Sequence, residues 1–241
     1  MESIDMAENI VELLTDVADA IREKKGSTEP INAQSFADEI KNLPSGGDIE
    51  NIIDESGLGI NLIQSVIFGQ DVSIISEKAY YYCRNLKTIT IPEGVKRIDS
   101  MAFAYCSSVE SVSLPSSLGT LGLQSFAQMT SLKSFDISLE AQILSLPRNL
   151  FWNSPLLEKI IIPKNVANIA GYVFEGCSGL IYVDFSNVTS VTALENVNAF
   201  SGVNNAYIIV PDALYDSWIA ATNWSSLADR IVKNSEYTRP L

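Results

Sequence analysis

Hydrophobic and polar positions repeat along most of the chain, from about Val66 to about Val210, with a period of 23 to 26 residues. One aromatic residue marks each unit, at Tyr80, Phe103, Phe126, Phe151, Phe174 and Phe200. Three positions after each aromatic stands a small or apolar residue, namely Cys83, Cys106, Met129, Ser154, Cys177 and Val203. Columns that hold register over about six units indicate an internal repeat rather than a chance run of apolar residues.

Short segments between and after these aromatic residues alternate polar with apolar side chains. They are rich in β-branched residues and span 88–91, 111–114, 134–137, 159–162, 182–185 and 207–210. A two-residue period over about four residues predicts short, half-buried β-strands. Three of the segments are followed by Pro92, Pro115 and Pro163. Proline ends a strand ladder there because it has no amide hydrogen to donate.

A unit of this length cannot bury its own apolar face, so successive units must stack as coils around one continuous core. Equivalent strands then lie about 4.8 Å apart, and each column of the repeat becomes a ladder of like side chains. We therefore predict an α/β repeat fold, a solenoid of about six to seven coils of ~23 residues each. We assign the solenoid to residues 51–210.

The two ends of the chain have different patterns. In residues 1–43, Ile10, Leu13 and Leu14 begin a helical apolar face, and Phe36 and Ile40 mark a second helix. This pattern predicts a helical hairpin for docking or oligomerisation, followed by a proline- and glycine-containing linker at 44–50. Residues 211–241 predict a C-terminal helical cap that would use its two tryptophans to cover the last apolar coil.

Composition narrows the function classes. The net charge is −13 with a sequence pI of about 4.4, which disfavours nucleic acid and anionic membrane surfaces as partners. The chain has no histidine, so the commonest general base and zinc ligand are missing, and it has no phosphate-binding glycine motif. We expect no catalytic residues, no cofactor, no metal and no membrane insertion. The first residues do not resemble a secretion signal, so we expect assembly in the cytoplasm.

Units such as 89–98 followed by 102–109 resemble BspA-like leucine-rich repeats. That family is common in gut and oral bacteria and in their phages. The resemblance implies a leucine-rich-repeat fold and a surface adhesin or other binding protein, because the repeat itself carries no catalytic residues. Residues 18–26 and 30–40 are similar to a short module of tail and virion proteins of gut-bacterial phages.

A few residues are candidates for contact with a partner. Tyr81 and Tyr82 directly follow the core position Tyr80, and we predict that both lie on the surface, where tyrosine is a good contact residue. Extra residues enter the repeat at 139–146 and at 189–198, and insertions in solenoids map to loops that can make specific contacts. Cys83 and Cys106 occupy one column in neighbouring coils; we favour buried thiols and leave a disulfide open.

The leading hypothesis is a non-enzymatic, virion-associated phage protein, a tail or fibre component that presents its repeat surface for host attachment. Its N-terminal helices would bind other virion proteins, its solenoid would bind a host-surface protein or glycan, and a homo-oligomer is left open. Its location would be the virion, after assembly in the host cytoplasm. The alternatives are a bacterial cell-surface adhesin and a capsid or neck decoration protein with a structural role.

Overall fold

The computed structural model describes Val66, Phe68 and residues 72–240. The predicted N-terminal hairpin and linker lie outside these residues, as does the predicted start of the solenoid at residue 51.

Each coil contributes short strands, as the alternating segments predict. The strands are β1 (Ile74–Ile75), β2 (Thr88–Thr90), β3 (Arg97–Ile98), β4 (Ser111–Leu114), β5 (Thr120–Leu121), β6 (Ser134–Ile137), β7 (Ser145–Leu146), β8 (Lys159–Ile161), β9 (Asn168–Ile169), β10 (Tyr182–Asp184), β11 (Ala193–Leu194), β12 (Tyr207–Val210) and β13 (Ile231–Lys233). All pairings are parallel. Ile89 pairs with Val112 and Val112 with Phe135, so the strand register follows the 23-residue period of the sequence.

The strands form two rows along the stack of coils, and both rows are interrupted at the same place. One row consists of the sheets β1-β3-β5 and β7-β9-β11, and the other of β2-β4-β6 and β8-β10-β12-β13. The interruption falls at residues 139–146, where the two extra residues of the repeat enter. Hydrogen bonding between parallel strands needs a constant register, so the strand pairing between β5 and β7 and between β6 and β8 is lost where the inserted residues enter.

A third row of hydrogen bonds is built from turns and crosses this interruption. In each coil, alternate backbone N–H groups donate to the next coil, as Tyr80 does to Ala102 at 2.7 Å and Phe103 to Ser125 at 2.9 Å. The row continues where the strands stop, because the amide of Gln128 donates to the carbonyl of Trp152 at 2.6 Å. This row keeps the coils stacked past the insertion.

The core is a spine of aromatic rings. Tyr80, Phe103 and Phe126 stack nearly parallel, with centroids 5.0 and 5.4 Å apart. At the interruption, Phe135 makes edge contacts with Phe126 and Phe151, at 4.8 and 4.7 Å. Since strand β6 supplies Phe135 where other strands supply an aliphatic residue, the larger ring maintains ring-to-ring contact across the coil that carries the insertion.

The C-terminal segment, residues 211–240, follows strand β12. It contains helix α1 (Tyr215–Ala220), 3-10 helices at Asp212–Leu214, Trp224–Arg230 and Asn234–Glu236, and strand β13, which pairs with β12. Trp218 and Trp224 are fully buried and lie 5.1 and 5.6 Å from the Phe185 ring. The Trp224 indole N–H donates to the Thr192 carbonyl at 2.6 Å. The segment therefore packs against the last coils of the core.

The end of this segment returns across the sheet. Tyr237 is extended, and its ring lies 5.7 Å from that of Tyr182 and 5.1 Å from that of Tyr207. Arg239 forms an ion pair with Asp184. Tyr182 and Asp184 are buried here, whereas Lys159, at the position of Tyr182 in the preceding coil, is exposed. We call the sheet side that bears these side chains the outer face.

Candidate binding surface

Tyr81 and Tyr82 lie on the row of turns, both half-exposed, at the N-terminal end of the described coils. Their rings meet edge to face with centroids 4.5 Å apart. Tyr105, one coil further on, stacks on Tyr82 at 4.5 Å and meets Tyr81 edge to face at 5.4 Å. These three rings form what we call the tyrosine cluster. Tyr80 belongs to the spine instead, where burial raises its pKa to about 12.

Arg84 adds a cation to the tyrosine cluster. Its guanidinium carbon lies 4.8 Å from the centroid of the Tyr82 ring, within the range of a cation–π contact. The contact orients an otherwise exposed arginine beside the rings. The surface therefore combines flat apolar area, phenol hydroxyls and one positive group, in a chain whose net charge is −13.

The backbone beneath the tyrosine cluster follows the geometry of the coil. Tyr82 and Tyr105 both have φ of 65°. The same left-handed position recurs in the next coils at Gln128 and Asn153 and then at Gly176. Positive φ is uncommon outside glycine, but here it belongs to every coil and does not itself mark a site. The coils differ in the side chain at this position. The first two described coils carry the stacked Tyr82 and Tyr105, and the next two carry Gln128 and Asn153, whose side-chain amides form a hydrogen bond of 2.8 Å.

The phenol of Tyr81 stays protonated at physiological pH because its pKa is raised. Partial burial raises the pKa of Tyr81, and the neighbouring phenols of Tyr82 and Tyr105 raise it further. Rings of this kind bind by stacking and by hydrogen bonds from the hydroxyl groups, which suits a sugar ring or a protein surface. Among the described residues, no group of three or more acidic or cysteine side chains is placed to hold a metal ion.

The structure extends the predicted pair of tyrosines by two residues. Tyr81 and Tyr82 are together on the surface, Tyr105 completes the tyrosine cluster, and Arg84 lies against it. Tyr105 follows Tyr82 by one period, so the repeat would have identified it as the neighbour of Tyr82. Arg84 carries no comparable signal, because its position depends on the rotation of one side chain towards the Tyr82 ring.

The cysteine column is part of the core. Cys83, Cys106 and Cys177 are all free and buried. The Cys106 thiol donates to the carbonyl of Tyr80 and the Cys177 thiol to that of Phe151, both at 3.1 Å. Burial raises the pKa of Cys177 to about 12 and the pKa of Cys106 well above its ordinary value. The thiols of Cys106 and Cys177 are therefore uncharged and belong to the packing of the core.

The two insertions differ in their surroundings. The insertion at 189–198 contacts the C-terminal segment, where Asn223 donates to the carbonyls of Leu194 and Glu195 at 2.7 and 2.9 Å. The insertion at 139–146 buries Ala141 and Ile143 but exposes Leu139 and Leu144. The latter insertion borders a cavity on the outer face, described below. None of the described helices is long and apolar enough to cross a membrane.

Comparisons with solved structures return leucine-rich-repeat proteins. A leucine-rich repeat protein from Eubacterium ventriosum is 21% identical with a TM-score of 0.48, over 55% of this chain and 41% of that one. A leucine rich cell surface protein from Faecalibacterium prausnitzii is 24% identical with a TM-score of 0.46, over 57% and 45%. The pneumococcal vaccine antigen PcpA is 16% identical with a TM-score of 0.49, over 71% and 45%. The aligned part is thus less than half of each of those three chains.

Sequence comparison with families gives a broader match. No curated protein matches the chain in sequence. The family model of the BspA type leucine rich repeat region matches residues 51–181 and 144–217, which together are more than half of the chain. This match agrees with the repeat columns, the parallel strand rows and the aromatic spine. The chain belongs to the BspA type leucine-rich repeat family.

Proposed function

We propose that the chain is a non-enzymatic binding module of a bacterial cell-surface protein, and that its tyrosine cluster contacts a protein or glycan on the opposing surface. The tyrosine cluster is the observation that carries the proposal. Tyr81, Tyr82 and Tyr105 place three rings within 5.4 Å of one another on a rigid row of turns. Rigid aromatic side chains lose little conformational entropy when they bind.

Membership of a repeat family and the chemistry of the described residues support binding over catalysis. The side chains of the core columns are apolar, and the described part of the chain offers no acidic or cysteine group arranged for a metal. All three cysteine thiols are buried, and burial raises the pKa of Cys106 and Cys177, which makes these two poor nucleophiles. Stacked coils offer a rigid surface on which exposed residues can differ without disturbing the core.

The virion hypothesis depends on the likeness of residues 18–40 to phage modules, and those residues lie outside the described part of the chain. Family membership accords better with the alternative that the sequence left open, a cell-surface adhesin. We therefore place the cell-surface reading first. A phage tail or head location is retained as a distinguishable outcome of the location experiment below.

The repeat itself suggests variants that should keep the fold. Asn153 occupies the left-handed position in another coil, so Tyr82→Asn and Tyr105→Asn introduce a side chain that this backbone accepts. Ala104 occupies the repeat position of Tyr81 one coil later, so Tyr81→Ala also introduces a side chain that another coil has at this position. Tyr172→Asn is the control, because Tyr172 is also a left-handed tyrosine with an arginine, Arg148, 5.3 Å from its ring.

Binding of the labelled chain is measured by flow cytometry on intact epithelial cells and on intact bacteria. The triple variant of the tyrosine cluster should lose affinity by about tenfold or more, as expected for central aromatic contacts, while Tyr172→Asn binds normally. Equal binding by the triple variant and the unmodified chain would reject the cluster as the contact.

Immunogold labelling with antibody to the repeat region tests the location. Label on the envelope of uninfected bacteria supports the cell-surface protein. Label on phage tails or heads, with bare envelopes, would overturn it in favour of a virion component.

A further inference from the structure

The same Asp-x-Ser pattern, with an apolar middle residue, occurs on the outer face two coils apart. Asp136 and Ser138 frame Ile137 at the end of β6, as Asp184 and Ser186 frame Phe185 at the end of β10. Strand pairing places Asp184 beside Ile161, and Ile161 follows Asp136 by the 25-residue spacing of the enlarged coil. Asp136 and Asp184 therefore occupy equivalent outward-facing positions of the repeat.

At the C-terminal copy of this sequence, the protein binds its own arginine. The Arg239 guanidinium donates to Asp184 Oδ2 through Nη2 at 2.6 Å and through Nε at 2.9 Å, and to Ser186 Oγ at 3.4 Å. The backbone N–H of Ser186 donates to Asp184 Oδ1 at 2.8 Å, which fixes the carboxylate. Two residues earlier, the Tyr237 ring packs on two tyrosines of the sheet. The outer face thus binds an extended aromatic-x-Arg segment.

At the N-terminal copy, the equivalent carboxylate has no such ligand. Asp136 is exposed, and within the described part of the chain it makes no ion pair or side-chain hydrogen bond. Beside it lies a cavity of about 100 Å³, whose walls include Phe135, Leu139 and Ile161. Leu139 and Ile161 are 40% and 38% exposed. The cavity is lined by residues of β6 and β8 at the place where the strand pairing is interrupted.

We propose that Asp136 and this cavity form a binding site for an extended peptide of a partner protein that carries an arginine near an aromatic or large apolar side chain. The arginine pairs with Asp136 as Arg239 pairs with Asp184, and the apolar side chain enters the cavity against Leu139 and Ile161. A basic peptide is also favoured by the net charge of −13. The site is separate from the tyrosine cluster, and the proposal does not depend on that cluster's role.

Lys159 allows a test in which removing two different charges should change the affinity in opposite directions. It is the one cation among the residues that line the cavity, and within the described chain it makes no ion pair. It stands where Tyr182 stands in the next coil, so its aliphatic stem lies where a ligand's side chain packs. Its charge opposes an incoming arginine. Removal of that charge should therefore strengthen binding, whereas removal of the Asp136 charge should weaken it.

The probe is a fluorescein-labelled peptide of residues 235–240, Ser-Glu-Tyr-Thr-Arg-Pro, titrated with the full chain and followed by fluorescence anisotropy. Asp136→Asn should weaken binding by about fivefold or more, as for loss of a charge-assisted arginine contact. Lys159→Gln should strengthen it by about twofold. A probe with glutamine in place of arginine should bind as weakly to the unmodified chain as the original probe binds to Asp136→Asn.

Asp184→Asn is the matched control, because it alters the site that the chain already fills with Arg239. Unchanged affinity in Asp184→Asn, together with weakened affinity in Asp136→Asn, supports the proposal. Loss of affinity in Asp184→Asn alone would mean that the probe displaces the native C-terminal end, and the proposal would fail. No detectable binding to the folded chain at millimolar concentration would also overturn it.

Discussion

At the scale of single residues, burial decides what the cysteines can do. Cys106 and Cys177 lie in a column whose other members include Met129 and Val203, and every one of these side chains is almost fully buried. A thiol in such a place behaves as a small apolar side chain, because an unpaired thiolate would be poorly solvated there. The column serves packing, which agrees with the raised pKa values of both thiols.

The first prediction concerns the pH dependence of stability. Burial raises the pKa of Cys177 from 9.0 to about 12 in the folded protein. A raised folded pKa means that the unfolded chain loses the proton first, so this contribution to stability is complete below pH 9 and declines as the pH rises towards 12. Between pH 9 and pH 11 the unfolding free energy should fall by about 2 kcal/mol more in the unmodified chain than in Cys177→Val.

Urea unfolding at several pH values measures this difference. Valine is chosen for the substitution because Val203 occupies the same column in the next coil. Parallel slopes of stability against pH for the two proteins would show that Cys177 titrates normally when folded. A second readout is thiol reactivity: at pH 8, a thiol reagent should modify the cysteines only as fast as the protein opens.

The tyrosine cluster could be predicted largely from the repeat, whereas the state of Asp136 could not. Tyr81 and Tyr82 were predicted on the surface from register, and the structure places them there. Their stacking with Tyr105 follows from the 23-residue period. The difference between the exposed Asp136 and the arginine-paired Asp184 could not be predicted from the sequence. It depends on where the C-terminal end of the chain returns, and no local pattern connects Arg239 with a strand 55 residues earlier.

At the scale of elements, the strands were predictable but the interruption of their rows was not. Alternation in 134–137 and 159–162 correctly predicts β6 and β8, because each buries one face on the core. Whether two extra residues bulge outwards or break the pairing depends on packing with the neighbouring coils. Here Ala141 and Ile143 are drawn into the core, and the strands on either side separate.

The second prediction concerns attachment of the C-terminal end, residues 234–240, to the sheet. Asp184 is 2% exposed, so loss of Arg239 leaves a buried carboxylate with only the Ser186 amide as a hydrogen-bond partner. Arg239→Gln should therefore cost about 1–3 kcal/mol of stability, somewhat less than a fully buried pair because the arginine is partly exposed. Arg97→Gln is the control, because Arg97 forms a surface ion pair with Asp99 at 2.8 Å. Its loss should lower the free energy of unfolding by about 0.5 kcal/mol or less.

Thermal unfolding gives the two stability changes, and hydrogen exchange of residues 234–240 reports whether the end detaches. Faster exchange there in Arg239→Gln, with unchanged exchange in Arg97→Gln, is the expected pattern. Equal stability losses for the two variants would indicate that the Asp184–Arg239 pair contributes no more than a surface ion pair.

At the scale of the whole molecule, the stacked coils form two hydrogen-bonded blocks joined by a weaker junction. Residues 72–137 contain two three-stranded sheets, and residues 145–233 contain a three-stranded and a four-stranded sheet. The row of turns and the ring of Phe135 connect them. In repeat proteins stability is approximately a sum of units and the interfaces between neighbours, so a weak interface can separate cooperative units.

The last prediction is that the two blocks open separately. The second block also buries Trp218 and Trp224 of the C-terminal segment, so it should exchange its amide hydrogens more slowly than the first. Phe103→Leu and Phe174→Leu are a matched pair, since both rings are fully buried in the spine, one in each block. Each substitution should lower the free energy of unfolding by about 1–2 kcal/mol, and the loss should fall on the block that contains the substituted ring.

Hydrogen exchange with mass spectrometry resolves the two effects. Phe103→Leu should accelerate exchange in residues 72–137 and leave 145–233 nearly unchanged, and Phe174→Leu should do the reverse. If either variant accelerates exchange equally on both sides of residues 139–146, the row of turns and the Phe135 ring make the coils one cooperative unit. In that case the insertion could open a cavity on the outer face without dividing the fold, because continuous turn hydrogen bonds would transmit stability past the broken strand rows.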